Sequence, residues 1–459
     1  VWIRDGEEER ELKLGDELCE RLFLEGRFPL PESLREIAPE EDISGHPLGE
    51  DLPYFAKVEK VGRAAELSRF HPSQIKEIRK EADGGLQIIR VRILAVPTAC
   101  DGIRQGDTIL TLRGGSGYVL AAALAKEARA VGATVLWTTP AAVKEERERR
   151  RQRRKKGEVE HRLLVELYQQ RPELFHRLTA PDLKHLELVR AFQRLRLIQR
   201  DRIAAGQRLL KVLQDRLLFG KFPEGRVMKS LLEEKLESPS YRELLAQEQE
   251  AQEEVKRLYK EHPAYEPLMS RIDYMRDSYR IGPALLVAVG DPLNLAVEPD
   301  LEGVEDAAER RRRIRAARDK TAANFKALLG AHVRQGGRFG EVPPHEQFPR
   351  RRRGERANWN PEGRQALFLW TERVFMRRQI DAGKRWCQRL EEIYQRLRAR
   401  YPHPVKVTRT VGGRKVEVEL YRPGHLQKMA RWRLATRFVE WWAPRLVKVM
   451  REAAAEAED

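Results

Sequence analysis

The chain has 459 residues, 41% of them apolar, with 88 Lys and Arg against 71 Asp and Glu and a net charge of +17. The basic residues cluster, which favours a polyanion partner, most often nucleic acid, over a protein whose charges only solvate its faces. No apolar run approaches the ~20 residues that cross a bilayer, so no membrane partner is expected. Cys19, Cys100 and Cys387 lie far apart without a CxxC or Cys/His cluster. That argues against a zinc site and a disulfide framework and fits a reducing compartment.

Residues 1–85 open acidic, "VWIRDGEEERELKLG", without the apolar core of a signal peptide. They start on Val1, which leaves a truncated N-terminus open. Pro and Gly breaks predict short helices and loops here, and the role of this first segment stays open. A second unit spans 86–180. "GGLQIIRVRILAV" (84–96) is rich in β-branched residues and predicts a strand. In 107–143 a short strand, Thr108–Leu112, meets a turn with Gly114, Gly115 and Gly117. An Ala/Leu helix follows, then a second strand, "ATVLWTT", closed by Pro140. This predicts a β-α-β unit with a mixed or parallel sheet.

Residues 158–218 carry helical periodicity with almost no breakers; Leu186, Val189, Phe192, Leu195 and Ile198 recur every three residues. After the turn "FGKFPEGR" a second helical stretch runs to about Met275, with breaks near "ESPSY" and "HPAYEP". Two long helices around one turn predict an antiparallel helical hairpin over 181–278. A mostly helical domain follows over 279–400. Its "IGPALLVAVG" helix is apolar nearly all round and should be buried. Its basic helix "ERRRRIRAARDK" and loop-like 332–363 precede a long amphipathic helix to about Arg400. In 401–459, "VKVTRTVGGRKVEVEL" alternates around Gly412-Gly413, a hairpin signal. A last helix is expected to end near Pro444.

Three groups of residues carry candidate chemistry. The "RGGSGY" turn is neither GxGxxG nor a P-loop; the following helix start could hold a phosphate, but a tight strand-to-helix turn explains the glycines more simply. Glu158 and Glu160 stand two apart, so on a regular helix they diverge; carboxylates in a first turn also suit the helix dipole. Asp101 and Asp107 border the strand before the Gly turn. The basic clusters are Arg149, Arg150, Arg151, Arg153, Arg154, Lys155 and Lys156; Arg310–Arg313; and Arg350, Arg351, Arg352 and Arg353. The first and last are candidate phosphate contacts, against the alternative of solvated faces. Trp359, Trp370 and Trp386, near the last cluster, are better read as core residues.

In this order the elements resemble an insertion-sequence transposase family that joins an N-terminal DEDD, RuvC-like domain to a C-terminal domain with a nucleophilic serine. Its members are recombinases guided by a bridge RNA. The resemblance covers about 107–380. The family's "IEATGxY" looks like Thr111–Tyr118, its K-T-D motif like "KKGEVEHRLLVEL", its coiled-coil insert like 183–275, and its "IPGIG" hairpin like "SYRIGPALLVAVGD". Its Arg-rich loop before "LRRAL" looks like 350–369. The resemblance implies an α/β RuvC/RNase H-like domain with a long antiparallel helical insert and a mostly α C-terminal domain.

The departures bear on catalysis. Arg113 stands where the family's strand carries glutamate, Gly157 where its motif has the first aspartate, and Glu160 at the second. No serine follows Ser278, and Thr321 precedes the Arg-rich loop. Two divalent ions need several carboxylates, and a guanidinium at one ligand position repels them. Without a nucleophile no covalent DNA intermediate forms. The expectation is a transposase-like protein that binds DNA, with a structured guide RNA as a further partner, and that is catalytically lapsed or repurposed. It would sit in the cytoplasm with the nucleoid and self-associate, as dimer or tetramer, through the hairpin. Binding needs no cofactor on this reading. One alternative is an active recombinase using Mg²⁺ at Asp101, Asp107, Glu158 and Glu160. Another is a structural protein dimerising through the hairpin.

Overall fold

A computed structural model describes residues 2–5, 8–11, 17–61, 69–82, 85–112, 117–150, 157–219, 233, 235–332, 334–335, 346–347, 359–411 and 414–456. The chain divides into two units, 1–178 and 179–459, each with its own core.

In the first unit, β1 (Trp2–Asp5) and β2 (Glu8–Glu11) pair antiparallel, and α1 spans Glu17–Leu24. The short strands β3 (Phe28–Pro29), β4 (Leu34–Glu36), β5 (Lys57–Lys60) and β6 (Ile75–Ala82) follow, with α2 (Leu52–Phe55) before β5. The thirteen-residue β7 (Gly85–Pro97) pairs antiparallel with β4, β5 and β6. Its two-residue period turns Val91, Ile93 and Ala95 inward, and Ile93 joins Leu22, Ile37, Leu48 and Leu52 in one core. Arg92, of the other parity, lies 3.6 Å over the Phe70 ring and 3.2 Å from Glu59. Residues 1–85 therefore supply three strands of this sheet, where sequence periodicity predicted only short helices and loops. "KVEK" and "IKEIRKEA" are mostly charged and lack a two-residue apolar period, so their signal is weak until β7 is in place.

β8 (Cys100–Asp101) pairs with β3. β9 (Thr108–Leu112), α3 (Gly117–Val131) and β10 (Thr134–Thr138) form a β-α-β unit with β9 and β10 parallel, Thr108 opposite Thr134 and Leu112 opposite Thr138. Gly114 and Gly115 of the preceding turn lie outside the described residues. Thr139 caps α4 (Pro140–Arg149), its hydroxyl accepting from the Ala142 amide at 3.2 Å, with Pro140 in the first helical position. α5 (Gly157–Gln170) packs Leu163 and Leu167 against Val143 and Phe175. The helix expected over 158–218 is broken here. Pro172 has no amide to donate, the chain turns at 172–174, and β11 (His176–Arg177) joins β10 antiparallel.

The second unit opens with the forty-residue α6 (Ala180–Phe219), which lies antiparallel to α7 (Pro239–Glu261). Lys184–Glu261, Arg190–Glu254 and the close Arg202–Glu248 pair fix that direction. Leu188, Phe192 and Leu195 meet Ala251, Val255 and Leu258. α8 (Gly282–Val289) is buried nearly all round; a Cβ on Gly282 would fall 2.1 Å from the Tyr259 hydroxyl, so only glycine permits the crossing. α9 spans Ala307–Leu328, and β12 (Arg334–Gln335) pairs with β13 (Glu346–Gln347).

α10 (Pro361–Arg377) and α11 (Arg385–Arg400) replace the single helix expected to run to Arg400. The chain bends where the Asp381 carboxylate accepts from Tyr274 at 2.7 Å and Arg377 at 3.1 Å. β14 (Val405–Val411) and β15 (Arg414–Leu420) pair with Val405 opposite Leu420; their Gly412-Gly413 turn lies outside the described residues. α12 (Pro423–Glu456) runs through Pro444 instead of stopping there. Trp442, Leu446, Val447 and Met450 are buried on both sides of the proline, and that packing outweighs the lost backbone hydrogen bond. Phe438 lies tilted 4.4 Å from Trp370 and stacks 5.7 Å from Trp442 in this core. Trp370 and Trp386 are core residues, as the sequence suggested.

Candidate nucleic-acid interface

The two units differ sharply in charge. Residues 1–178 hold 31 basic and 31 acidic side chains; residues 179–459 hold 57 and 40. All of the net +17 therefore belongs to the second unit.

α9 begins at Asp306, whose carboxylate accepts from the Ala308 amide at 3.0 Å and the Glu309 amide at 3.2 Å. Its inner face buries Ala317, Thr321, Ala322 and Phe325. Its outer face carries Arg311, Arg315 and Arg318 at i, i+4 and i+7, one stripe of an α-helix. Two members of the "RRRR" run are neutralised locally: Arg312 and Arg313 both bind Glu309, whose pKa they hold below the ordinary carboxylate range. Arg311, Arg315 and Arg318 form no such pair among the described residues, and they line a groove of about 640 Å³ with Lys326 and Arg437.

α12 packs between α9 and α11, and a second groove of about 260 Å³ opens on its α11 side. Arg389, Arg396 and Arg433 line it. Arg437 and Glu440 are common to both grooves and separate them. Glu440 binds Lys326 and Arg437 at 3.0 Å each. Eight cations and two carboxylates, Glu440 and Asp319, thus border the two grooves. Next to Pro444, which lines the first groove, the guanidiniums of Arg385 and Arg445 lie 4.9 Å and 4.7 Å from the Trp441 ring centre. Lys326, Arg437, Arg389 and Arg396 have carboxylate partners, so Arg311, Arg315 and Arg318 carry most of the unneutralised charge; such an excess attracts phosphates without sequence preference.

The residues singled out from the sequence fall elsewhere. Arg149 donates to Glu146 at 2.7 Å and to Gln170 at 3.3 Å. Arg150 donates to Glu146 at 2.7 Å and forms a close pair with Glu166. Glu146 is buried, and the hydrogen bond from Arg149 leads the effects that lower its pKa. These two arginines fasten α4 to α5. Arg151, Arg153, Arg154, Lys155, Lys156, Arg350, Arg351, Arg352, Arg353 and Arg113 lie outside the described residues.

Asp101 is buried; it accepts from the Gly102 amide at 2.8 Å and lies 3.5 Å from Arg104. Asp107 accepts from the Arg104 amide at 2.8 Å. Both carboxylates thus organise the loop 101–107. Glu158 and Glu160 belong to the first turn of α5. Among the described residues no group of three or more His, Cys, Asp or Glu is placed to hold a metal ion. Thr321 is buried, its hydroxyl accepting from the Val297 amide at 2.9 Å. No helix among the described residues is long and apolar enough to cross a membrane.

No family model, curated protein or solved structure matches the chain.

Sequence reasoning noted Arg310–Arg313 but missed Arg315, Arg318, Arg389, Arg396, Arg433 and Arg437. Their signal is helical spacing, with i, i+4 and i+7 on α9 and i, i+4 on α12. A count of charge by half-chain would also have pointed to this unit.

Proposed function

We propose that this chain is a nucleic-acid-binding protein that holds a sugar-phosphate backbone in the paired grooves flanking α12. One observation carries the reading: the whole net charge lies in the second unit, and eight cations against two carboxylates line adjoining grooves there. Within this reading the chain is a transposase-like protein on an α/β RuvC-like scaffold with a helical insert. It binds DNA, with a structured guide RNA as a further partner, in the cytoplasm with the nucleoid. The replacement of family carboxylates by Arg113 and Gly157, and the serine-free sequence after Ser278, support lapsed or repurposed catalysis.

Fluorescence anisotropy of the full chain with a 30-bp duplex and with a hairpin RNA, from 50 to 300 mM salt, tests it. The logarithm of the association constant should fall with log salt with a slope of roughly −4 to −7, about 0.9 per phosphate neutralised on duplex DNA. Failure to bind either ligand at 50 mM salt ends the proposal. Mg²⁺-dependent cleavage or strand exchange, lost in Glu160→Ala, would instead favour the active recombinase.

A second reading, self-association through the hairpin, is favoured by exposed apolar residues along α6. There Leu197, Ile203, Val212, Leu218 and Phe219 are exposed. Sedimentation at micromolar protein without nucleic acid checks it; a monomer counts against it.

A further inference from the structure

A different arrangement of cations follows Pro444, a lining residue of the first groove. Pro444 cannot donate a backbone hydrogen bond, and Arg445 donates from Nη1 to the Trp441 carbonyl at 2.8 Å. That bond holds the guanidinium against the indole, 4.7 Å from its centre. Arg385, the first residue of α11, reaches the same indole from the neighbouring helix at 4.9 Å and also lies 5.2 Å from Trp386. The two guanidiniums are no farther apart than the sum of their distances to Trp441. Arg318 of α9 lines the first groove together with Pro444, the residue before Arg445. Partial burial first, then Arg385 and Arg318, lowers the Arg445 pKa. The guanidinium remains cationic all the same.

Two cations from two helices thus share one tryptophan, and Arg318 of a third helix lines the groove that Pro444 also lines. None of the three forms an ion pair with a carboxylate among the described residues. Elsewhere the protein neutralises such groups: Arg377 has Asp381, Arg389 has Glu392 and Arg437 has Glu440. Like charges held together by aromatic stacking and a backbone bond are pre-organised for an anion, because their side-chain order is set before binding. A tetrahedral phosphate oxygen set accepts from several guanidiniums at once.

Resting on the nucleic-acid reading, we infer that Arg385 and Arg445 around Trp441 form an anchor that grips one backbone phosphate. The remaining groove cations contact neighbouring phosphates individually. The anchor sets where along the grooves the strand is held.

The test uses the full chain and a 30-bp duplex. Arg385→Gln with Arg445→Gln is compared with Arg311→Gln with Arg315→Gln, after thermal melts show that both fold. The anchor pair should weaken binding by tenfold or more yet reduce the salt slope by only about 0.9, since both side chains serve one phosphate. The groove pair should weaken binding less and reduce the slope by about 1.8, one step per phosphate. Arg385→Gln alone, which leaves the Trp441 carbonyl bond intact, should give at least half of the anchor effect on a logarithmic scale.

Tryptophan emission should change on duplex binding, and Trp441→Phe should abolish most of that change. Inorganic phosphate and pyrophosphate serve as the free-anion probes. Saturation of the emission change by micromolar pyrophosphate, with no duplex competition, would make this a free-anion site and overturn the proposal. An anchor pair that binds duplex like the unsubstituted chain, while the groove pair is weakened, overturns the anchor and leaves the nucleic-acid reading standing. No duplex binding by the unsubstituted chain overturns both.

Discussion

Arg149 and Arg150 in the first unit and Arg311, Arg315 and Arg318 in the second come from sequence runs that look alike, and they do different things. The first pair surrounds the buried Glu146 and joins two helices. The second set faces a groove with no carboxylate partner among the described residues. The same contrast holds at larger scale: 31 basic residues meet 31 acidic ones in 1–178, while 57 meet 40 in 179–459. A run of arginines is therefore a poor guide to binding by itself. What separates a structural arginine from a ligand-seeking one is whether the fold places a carboxylate beside it.

The largest test reverses charge in each unit in turn. Arg311, Arg315, Arg318 and Arg437 changed together to Glu should lower duplex affinity by on the order of 10³-fold at 100 mM salt, about 4 kcal/mol. Lys57, Lys60, Lys126 and Arg129, exposed on the first unit, changed together to Glu should cost less than about threefold. Equal losses in the two sets would break the comparison. Core truncation should separate the units as well. Trp442 is fully buried in the core face of α12, and Trp442→Ala should cost about 3–5 kcal/mol and weaken binding. Leu167→Ala, in the α4–α5 core, should cost about 2–5 kcal/mol and leave the binding of the folded fraction unchanged. Denaturant unfolding of each variant, paired with anisotropy, reads both quantities.

Acidification offers a smaller contrast. His262 is buried, accepts from the Ala264 amide at Nδ1 (3.1 Å), and presents Nε2 to His185 Nδ1 at 3.2 Å. Nε2 therefore carries the proton of the neutral ring. Burial pushes its pKa down to about 3. The unfolded chain takes up a proton near pH 6.5 that the folded chain refuses, so stability is lost as pH falls below 6.5. The second unit should lose roughly 1.5–2 kcal/mol between pH 6.5 and 5, before most carboxylates titrate. Denaturant midpoints across that range measure the slope, and His262→Gln, which takes no proton, should flatten it.

Much of the local structure was legible. Thr108–Leu112 and Thr134–Thr138 carry short apolar runs around an Ala-rich helix, and the α6 stripe from Leu186 to Leu195 is buried as its spacing requires. What escaped was decided by tertiary partners. β5 and β6 are mostly charged, without a two-residue apolar period, and become strands beside β7. α12 passes Pro444 because Trp442 and Leu446 are held in the core. The interface was half legible. Arginine spacing marks the exposed face of each helix, but no spacing says that α9, α12 and α11 lie side by side, nor that Glu146 is buried beneath Arg149 and Arg150.

That last point gives the smallest and most discriminating experiment. The Glu146 carboxylate has a lowered pKa, so its contribution to stability is present above the ordinary carboxylate range and fades as pH falls through it. Glu146→Gln at neutral pH removes the charge while keeping an acceptor, and Glu166→Gln removes the second partner of Arg150. The pair should cost the first unit about 1–3 kcal/mol of stability, since hydrogen bonds to a charged group are lost. If pairing alone keeps Arg149 and Arg150 from acting as ligands, the freed guanidiniums should also raise duplex affinity by about two- to fivefold and steepen the salt slope by up to about 1.8. A destabilised variant with unchanged affinity and slope would mean that position on the surface, and not neutralisation, distinguishes the two sets of arginines.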